Sequence, residues 1–335
     1  MKVVTVFPSF ALKGGAEDMA VSLARGLNPA SESIVLQIDS KINSQYAKSN
    51  IIFENFNIRN IRKYHNEGMI FLSHHRKTTT FLLLISRFFF LNKLKVVHVA
   101  HNTYSNLKRV TLFPTHNIAV SKSVKKNMVS FFKVKEKDIK VIYNGIHDYY
   151  NPENTKFRIN QNSINILFLG RLDPIKRQVA FVNETRGKLN SSIKIYFGGV
   201  GKDFEILKKA IGDFTDQYIL LGLIDVYKEL HKFDYVCLFS EKEGLPLSLI
   251  EGQMFKKPLV TNDLPQCKEI NRDGYNGYVT HSWEEVINCI NHLPFPNDSE
   301  YLRLSENARK TFEEKFNFGK MISLYREYIG SITWK

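Results

Sequence analysis

Residues 164–177 read INILFLGRLDPIKR, and this stretch decides the fold class. Five of the first six residues are apolar, and the run ends in a glycine. A short apolar run bounded by a turn signal is expected to be a strand buried on both faces, over 164–169. Gly170 then lets the backbone turn, and a helix is expected over 176–189. The same alternation continues toward the C-terminus. Strands are expected at 193–197, 218–221, 235–239 and 259–261, with helices at 203–211, 226–231, 247–255 and 283–293. It is also present upstream, with strands at 2–7, 34–38, 51–53, 70–72, 96–100 and 117–120 and helices at 16–27, 78–91 and 123–132. Strands alternating with helices imply a parallel sheet covered on both faces. The fold class is therefore α/β, with two Rossmann-like, doubly wound halves.

The length agrees, since 335 residues exceed what one core usually supports. Residues 145–163 are polar, rich in Asn and Tyr, and break the alternation; they are expected to form the interdomain linker. The expected domains are 1–150 and 164–317, with 318–335 returning to the first. Ligands of such sheets bind at the carboxyl ends of the strands, and two facing sheets would enclose a central cleft.

Composition removes several classes. Apolar residues make up 43% of the chain, ordinary for a globular protein. Cys237, Cys267 and Cys289 lie far apart and form no CxxC pair, so neither a disulfide framework nor a zinc knuckle is expected, and a reducing cytosol fits. The opening residues are too short an apolar run for a signal peptide. The charge is uneven: 22 Lys and Arg face 9 Asp and Glu in residues 1–150, a net of +13, whereas 25 face 24 in residues 151–335, a net of +1. One-sided basic charge suits an anionic partner, such as a membrane surface, a pyrophosphate-linked acceptor or nucleic acid.

Three motifs carry chemistry. The strongest is EGLPLSLIE, residues 243–251. Glu243 falls in a Gly/Pro turn after the strand at 235–239, and Glu251 falls about one turn into the following helix. The helix start offers backbone N–H groups to an anion, and a carboxylate on either side could grip sugar hydroxyls. Two surface glutamates favoured by the helix macrodipole would give the same spacing. The second motif is GRLDPIKR, residues 170–177, where Arg171 and Lys176 suit a diphosphate, as a planar fork and a point charge respectively. The third is the pair Gly14-Gly15 between the first strand and the first helix, where the backbone can approach a phosphate closely. It lacks a full GxGxxG, so a nicotinamide site is not indicated. Gly198-Gly199-Val200-Gly201 is a similar turn.

Taken together, these motifs resemble the GT-B retaining glycosyltransferases of family 4 (glycosyl transferases group 1), of the bacterial surface-polysaccharide type. The resemblance runs from GGAE (14–17) through YNGI (143–146) and GRLDPIKR to the E-x7-E stretch (243–251), KKPLVTND (256–263) and DGYNGYV (273–279). It implies that Gly14 and Gly15 meet the donor diphosphate. Arg171 and Lys176, beside Gly170, would neutralise the leaving group. Glu243 and the backbone of Gly244, Leu245, Pro246 and Leu247 would hold the donor sugar, and Glu251 the ribose. It also places His101, in VHVAHN, facing the sugar; a satisfied core histidine is the other reading. His98 is expected to point inward, and His74 and His75 to be loop residues. Pro246 departs from the family's usual glycine-rich turn and removes one N–H donor.

The resemblance further implies a nucleotide diphosphate sugar donor, UDP-linked by preference, carrying a hexose or N-acetylhexosamine. The acceptor would be a lipid-pyrophosphate-linked sugar, transferred with retention in O-antigen, capsule or related assembly. The enzyme would be cytoplasmic and peripheral on the inner face of the cytoplasmic membrane. No two aspartates lie two residues apart, so a DxD metal site is not expected and neither metal nor cofactor is predicted. Residues 78–95, TTTFLLLISRFFFLNKLK, are too short to span a bilayer. They read either as a buried helix or as a surface patch with Phe88–Phe90 entering the interface and Arg87, Lys93 and Lys95 meeting headgroups. Three rivals remain: a catalytically silent GT-B partner subunit, a related GT-B enzyme that epimerises a UDP-sugar, and a nucleic-acid binder using Lys122, Lys125, Lys126, Lys133, Lys135, Lys137 and Lys140 with Phe131 and Phe132. No nucleic-acid motif accompanies that run, and nucleic acid is not among the expected partners.

Overall fold

The computed structural model describes every residue except 1, 13, 30–31, 48–49, 92, 154–161 and 335. Much of the expected linker therefore lies outside the described residues. The chain divides into two compact units, one of residues 1–144 and 319–335 and one of residues 145–318.

The first unit has seven parallel strands: β1 (Val3–Phe7), β2 (Ser33–Gln37), β3 (Ile51–Asn55), β4 (Ile70–Ser73), β5 (Val96–Ala100), β6 (Asn117–Ala119) and β7 (Ile139–Val141). They lie in the order β3-β2-β1-β4-β5-β6-β7. All five residues of β1 are buried, as a central strand covered on both faces requires. The helices are α1 (Gly15–Leu27), α2 (Ser44–Ala47), α3 (Ile58–Asn66), α4 (Arg76–Phe89) and α5 (Lys122–Ser130). Asn28, just past α1, is buried because its side chain clamps a strand. Its Oδ1 accepts the Val3 N–H at 3.1 Å and its Nδ2 donates to the Val3 carbonyl at 2.9 Å.

The second unit has six parallel strands: β8 (Ile164–Leu169), β9 (Ile193–Gly198), β10 (Tyr218–Gly222), β11 (Tyr235–Leu238), β12 (Leu259–Asn262) and β13 (Gly277–Thr280). Their order is β10-β9-β8-β11-β12-β13. Its helices are α6 (Gln178–Thr185), α7 (Phe204–Ile211), α8 (Val226–Glu229), α9 (Leu247–Met254), α10 (Pro265–Lys268), α11 (Trp283–Asn291) and α12 (Ser299–Lys315). The last helix, α13 (Phe318–Gly330), packs from residue 319 onward in the first unit. There Arg326 donates to the Gly26 carbonyl at 2.8 Å.

Two differences from the sequence reading have local causes. The helix expected from residue 176 begins at Gln178, because Arg177 adopts a left-handed φ of 61° and separates it from a 3-10 turn at 174–176. Asp173 caps that turn, with Oδ1 accepting the Lys176 N–H at 3.2 Å, and Pro174 sits at its first position, where its missing N–H costs nothing. The 17-residue α12 was not foreseen. Its buried Tyr301, Leu304, Ala308 and Phe312 have helical spacing, but the polar residues between them dilute the pattern.

Candidate functional site

In each sheet the strand order reverses once, between β1 and β4 in the first unit and between β8 and β11 in the second. At such a point the loops leaving the two strands diverge and open a crevice at the carboxyl ends. The residues singled out in the sequence lie at these two places.

In the second unit the switch point is braced from below. The buried carboxylate of Asp234, just before β11, accepts the Asn165 backbone N–H at 2.8 Å and its side-chain amide at 3.0 Å. Above, the loops after β8 and β11 are tied together. The Glu241 N–H donates to the Ile175 carbonyl at 2.8 Å, and Lys176 Nζ meets Glu243 Oε1 at 2.5 Å. Ser240 Oγ donates to the same oxygen at 2.6 Å. Both side chains of the pair are largely buried, with 20% of Lys176 and 10% of Glu243 exposed. Arg171 extends outward instead, 68% exposed, with Nε held by Asp173 Oδ2 at 2.7 Å.

The two glycine turns of this unit form one backbone platform. Gly170 N–H donates to the Gly198 carbonyl at 2.9 Å and Leu172 N–H to the Val200 carbonyl at 3.1 Å. Gly199 has φ +147°, and a Cβ there would lie 2.0 Å from the Gly170 oxygen. No other residue type fits such an approach. Gly244, Leu245 and Pro246 are buried, and α9 opens at Leu247 with Pro246 as its N-cap and no side-chain cap. Pro246 thus sits at the N-cap and removes one helix-start donor, and the helix itself begins with the amides of Leu247 and Ser248. Glu251 follows one turn on, partly exposed.

In the first unit, α1 starts at Gly15 with Gly14 as N-cap. Glu17 folds back over this start, its Oε2 2.5 Å from where a Gly14 Cβ would stand. His74 follows β4, His98 lies within β5 and His101 follows β5. His74 Nδ1 and His101 Nε2 are 2.9 Å apart, and His98 Nδ1 lies 2.7 Å from Thr79 Oγ1. Burial, with lesser repulsion from neighbouring bases, pushes His98 down to about 3 and His101 down to about 4. Burial, then His101 and His98, holds His74 well below the usual imidazole range. All three are therefore neutral at pH 7. Of two neutral rings sharing one N···N contact, one donates. His74 Nε2 is buried without a partner, and a buried lone pair is tolerated better than a buried orphan N–H. The arrangement thus favours a proton on His74 Nδ1, given to His101 Nε2, which leaves the His101 proton on Nδ1.

The structure therefore groups Gly170, Arg171, Lys176, Glu243–Leu247 and Glu251 around one switch point. It places Gly14, Gly15 and His101 at strand ends of the other sheet. Sequence reasoning missed Asp173, Ser240 and His74 as supports. The Asp-Pro pair at 173–174 was a legible capping signal; nothing in the sequence tied Ser240 to Glu243 or His74 to His101.

Comparison with known proteins agrees with this geometry. Residues 163–293 match the family described as Glycosyl transferases group 1, and residues 13–148 match Glycosyltransferase Family 4. The chain is 29% identical over 168 residues to the O-antigen biosynthesis glycosyltransferase WbnH of Escherichia coli, covering 50% of this chain and 47% of that relative. It is 25% identical over 171 residues to the capsular polysaccharide biosynthesis glycosyltransferase CapH of Staphylococcus aureus, covering 49% and 47%. The chain thus spans about half the length of these curated relatives. Among solved structures, Anabaena Alr3699/HepE in complex with UDP superposes with a TM-score of 0.88 at 19% identity, over 99% of this chain and 100% of that one. The same protein with UDP-glucose superposes at 0.83 and 18% identity, with the same coverage. The fold is GT-B, and the chain belongs to the family 4, group 1 glycosyltransferases.

Proposed function

We propose that the chain is a retaining, metal-independent glycosyltransferase that moves a hexose or N-acetylhexosamine from a UDP-sugar to a lipid-linked sugar acceptor in surface-polysaccharide assembly. The observation that carries this reading is the Arg171, Lys176 and Glu243 constellation at the β8/β11 switch point, with the uncapped start of α9 beside it. The UDP and UDP-glucose complexes of the structural neighbour support the donor, and the O-antigen and capsule relatives support the pathway class.

The residues divide the work. The anomeric C–O bond breaks and its electron pair leaves with the diphosphate. Arg171 and Lys176, with the first amides of α9, meet the charge that grows there, which stabilises the transition state more than the ground state. Glu243 orients Lys176 through Oε1, while Oε2 accepts from a sugar hydroxyl. Gly14 and Gly15 offer backbone N–H groups to the diphosphate, Glu251 accepts from the ribose, and His101 Nδ1–H donates to a sugar oxygen. The acceptor oxygen bonds to the anomeric carbon on the face the diphosphate leaves, and a departing phosphate oxygen takes its proton. The products are the glycoside and UDP, and no separate base is consumed.

The test is ligand-induced stabilisation followed by turnover, both in EDTA. UDP should raise the melting temperature, since a ligand at 100 times its Kd adds about 2.7 kcal/mol. Arg171→Ala should lower turnover about 10²-fold or more with the fold intact. A response to GDP but not UDP, a requirement for magnesium, or wild-type turnover in Arg171→Ala would overturn the reading. No turnover in any condition, with UDP binding retained, would favour a silent partner subunit.

A further inference from the structure

A helix lying on a sheet normally turns its large apolar side chains inward. α4 does so only in part, through Leu82, Leu83 and Ile85. Its buried positions are Thr78, Thr79, Leu82 and Ser86, while Phe81, Leu84, Phe88 and Phe89 are exposed. At 3.6 residues per turn, Lys77, Phe81, Leu84 and Phe88 fall within an arc of about 60°. Phe88 is 73% exposed and Leu91, just past the helix, 79%. The polar inner face is structural. Thr79 Oγ1 contacts His98 at 2.7 Å, Thr78 Oγ1 contacts Ser73 Oγ at 2.9 Å, and Ser86 Oγ accepts the Leu94 N–H at 3.3 Å. The helix is thus held to its sheet by these hydroxyls together with Leu82, Leu83 and Ile85 in the apolar core, while Phe81, Phe88 and Phe89 are left outward.

A second segment extends this face. Arg76 donates to Asn106 at 2.8 and 2.7 Å, and Thr80 Oγ1 accepts the Leu112 N–H at 3.1 Å. That segment brings Leu107, Val110 and Leu112, which are 60%, 64% and 41% exposed, beside exposed Lys108 and Arg109. The charge around it is of one sign. Residues 68–135 contain 12 Lys and Arg and no Asp or Glu. Among the described residues no helix is long and apolar enough to cross a membrane.

We infer that the outer face of α4, together with residues 107–112, docks on an anionic lipid bilayer. Phe81, Phe88, Phe89 and Val110 enter the acyl boundary, and Lys77, Arg87, Lys108 and Arg109 meet lipid phosphates. An apolar patch in a stretch of chain that carries cations and no carboxylate fits a surface of negative headgroups. A second copy of this face would instead set like charges against each other. The inference deepens the reading of a lipid-linked acceptor, whose anchor would lie in the same surface, and rests on it for its purpose though not for its geometry.

The experiment is co-flotation of the full chain with vesicles of 30% phosphatidylglycerol in phosphatidylcholine, and with pure phosphatidylcholine. The wild type should bind the anionic vesicles and only weakly the neutral ones. Phe88→Ser with Phe89→Ser should cut partitioning at least about ten-fold. Lys108→Glu with Arg109→Glu should do the same and flatten the dependence on anionic lipid. UDP-induced stabilisation should stay unchanged in both, which shows that they fold. In Phe88→Trp, brominated lipid should quench the new indole. Wild-type flotation by either double variant overturns the inference, as does an indole that stays in water while the chain floats. So does a change only in oligomeric state or in RNA retention. Flotation through this face with no response to UDP would sink the donor reading and leave the docking surface standing.

Discussion

The two units share a sheet architecture and differ in nearly everything placed on it. Residues 1–144 with 319–335 contain 25 Lys and Arg against 9 Asp and Glu, a net of +16, whereas residues 145–318 contain 22 against 24, a net of −2. The basic unit keeps neutral histidines at its switch point and an outward aromatic helix. The near-neutral unit keeps the largely buried Lys176–Glu243 pair at its own. An ammonium in a near-neutral surround attracts a diphosphate by local geometry, while a field of +16 attracts an extended anionic surface at a distance. One parallel-sheet plan can thus be given to short-range chemistry or to long-range attraction by what its strand-end loops carry.

The contrast can be broken unit by unit, because the chain's two tryptophans fall one in each. Trp283 lies 6.3 Å from Phe181 in the second unit and Trp334 lies 5.3 Å from His116 in the first. Trp283→Phe and Trp334→Phe backgrounds would report each separately.

Among single substitutions the largest effect on folding is expected from Gly199→Ala. The added methyl would meet the Gly170 oxygen at 2.0 Å, and the loss should be about 3 kcal/mol in denaturant unfolding. It should appear in the Trp283 transition; an equal shift in the Trp334 transition would mean that the units unfold as one.

Acid should act on the first unit next. Burial lowers the folded-state values of His98 to about 3 and His101 to about 4, with His74 lowered as well; the contribution of His98 and of His101 is full above the unfolded value near 6.5 and is lost as pH falls toward the folded one. Each should remove about 1.4 kcal/mol per pH unit across that window. His101→Asn should reduce the slope by one proton's worth. An unchanged slope would show that His101 is already hydrated.

A smaller effect is expected where the chain enters the second unit. Arg309 donates to Asp148 Oδ1 at 2.9 Å and to the Met254 carbonyl at 2.8 Å. Arg309→Lys cannot reproduce that fork and should cost about 1–2 kcal/mol, read at Trp283 alone. Least of all, Lys63→Met should leave the denaturation midpoint almost unmoved, because its pair with Glu54 at 3.3 Å lies in solvent and is screened. A larger loss would mean that charge in the basic unit is more tightly arranged than its geometry suggests.

Glu243 shows how the tertiary structure changes a mutational expectation. As a lone sugar ligand it could be truncated without harm to the fold. As the partner of a largely buried Lys176, its loss leaves an uncompensated ammonium. Glu243→Gln keeps the shape and an oxygen that accepts from Lys176 but still leaves the ammonium unbalanced, so its stability has to be measured beside its turnover.

The sequence by itself determined the periodicities: which runs are strands buried on both faces, where the glycine turns fall, that charge gathers in one half, and the motif order that marks the family. These are local properties, set by spacing along the chain. Only the tertiary structure decided strand order, and strand order makes the loops after β8 and β11 neighbours although 65 residues separate Leu169 from Tyr235. It also decided that Lys176 and Glu243 pair, that His74 sets the tautomer of His101, and that α4 turns its phenylalanines outward. A helix with an apolar side and a hydroxyl side reads the same in sequence whichever side meets the sheet. The side that meets the sheet carries Leu82, Leu83 and Ile85 for the core and the hydroxyls that pair with His98, Ser73 and the Leu94 amide.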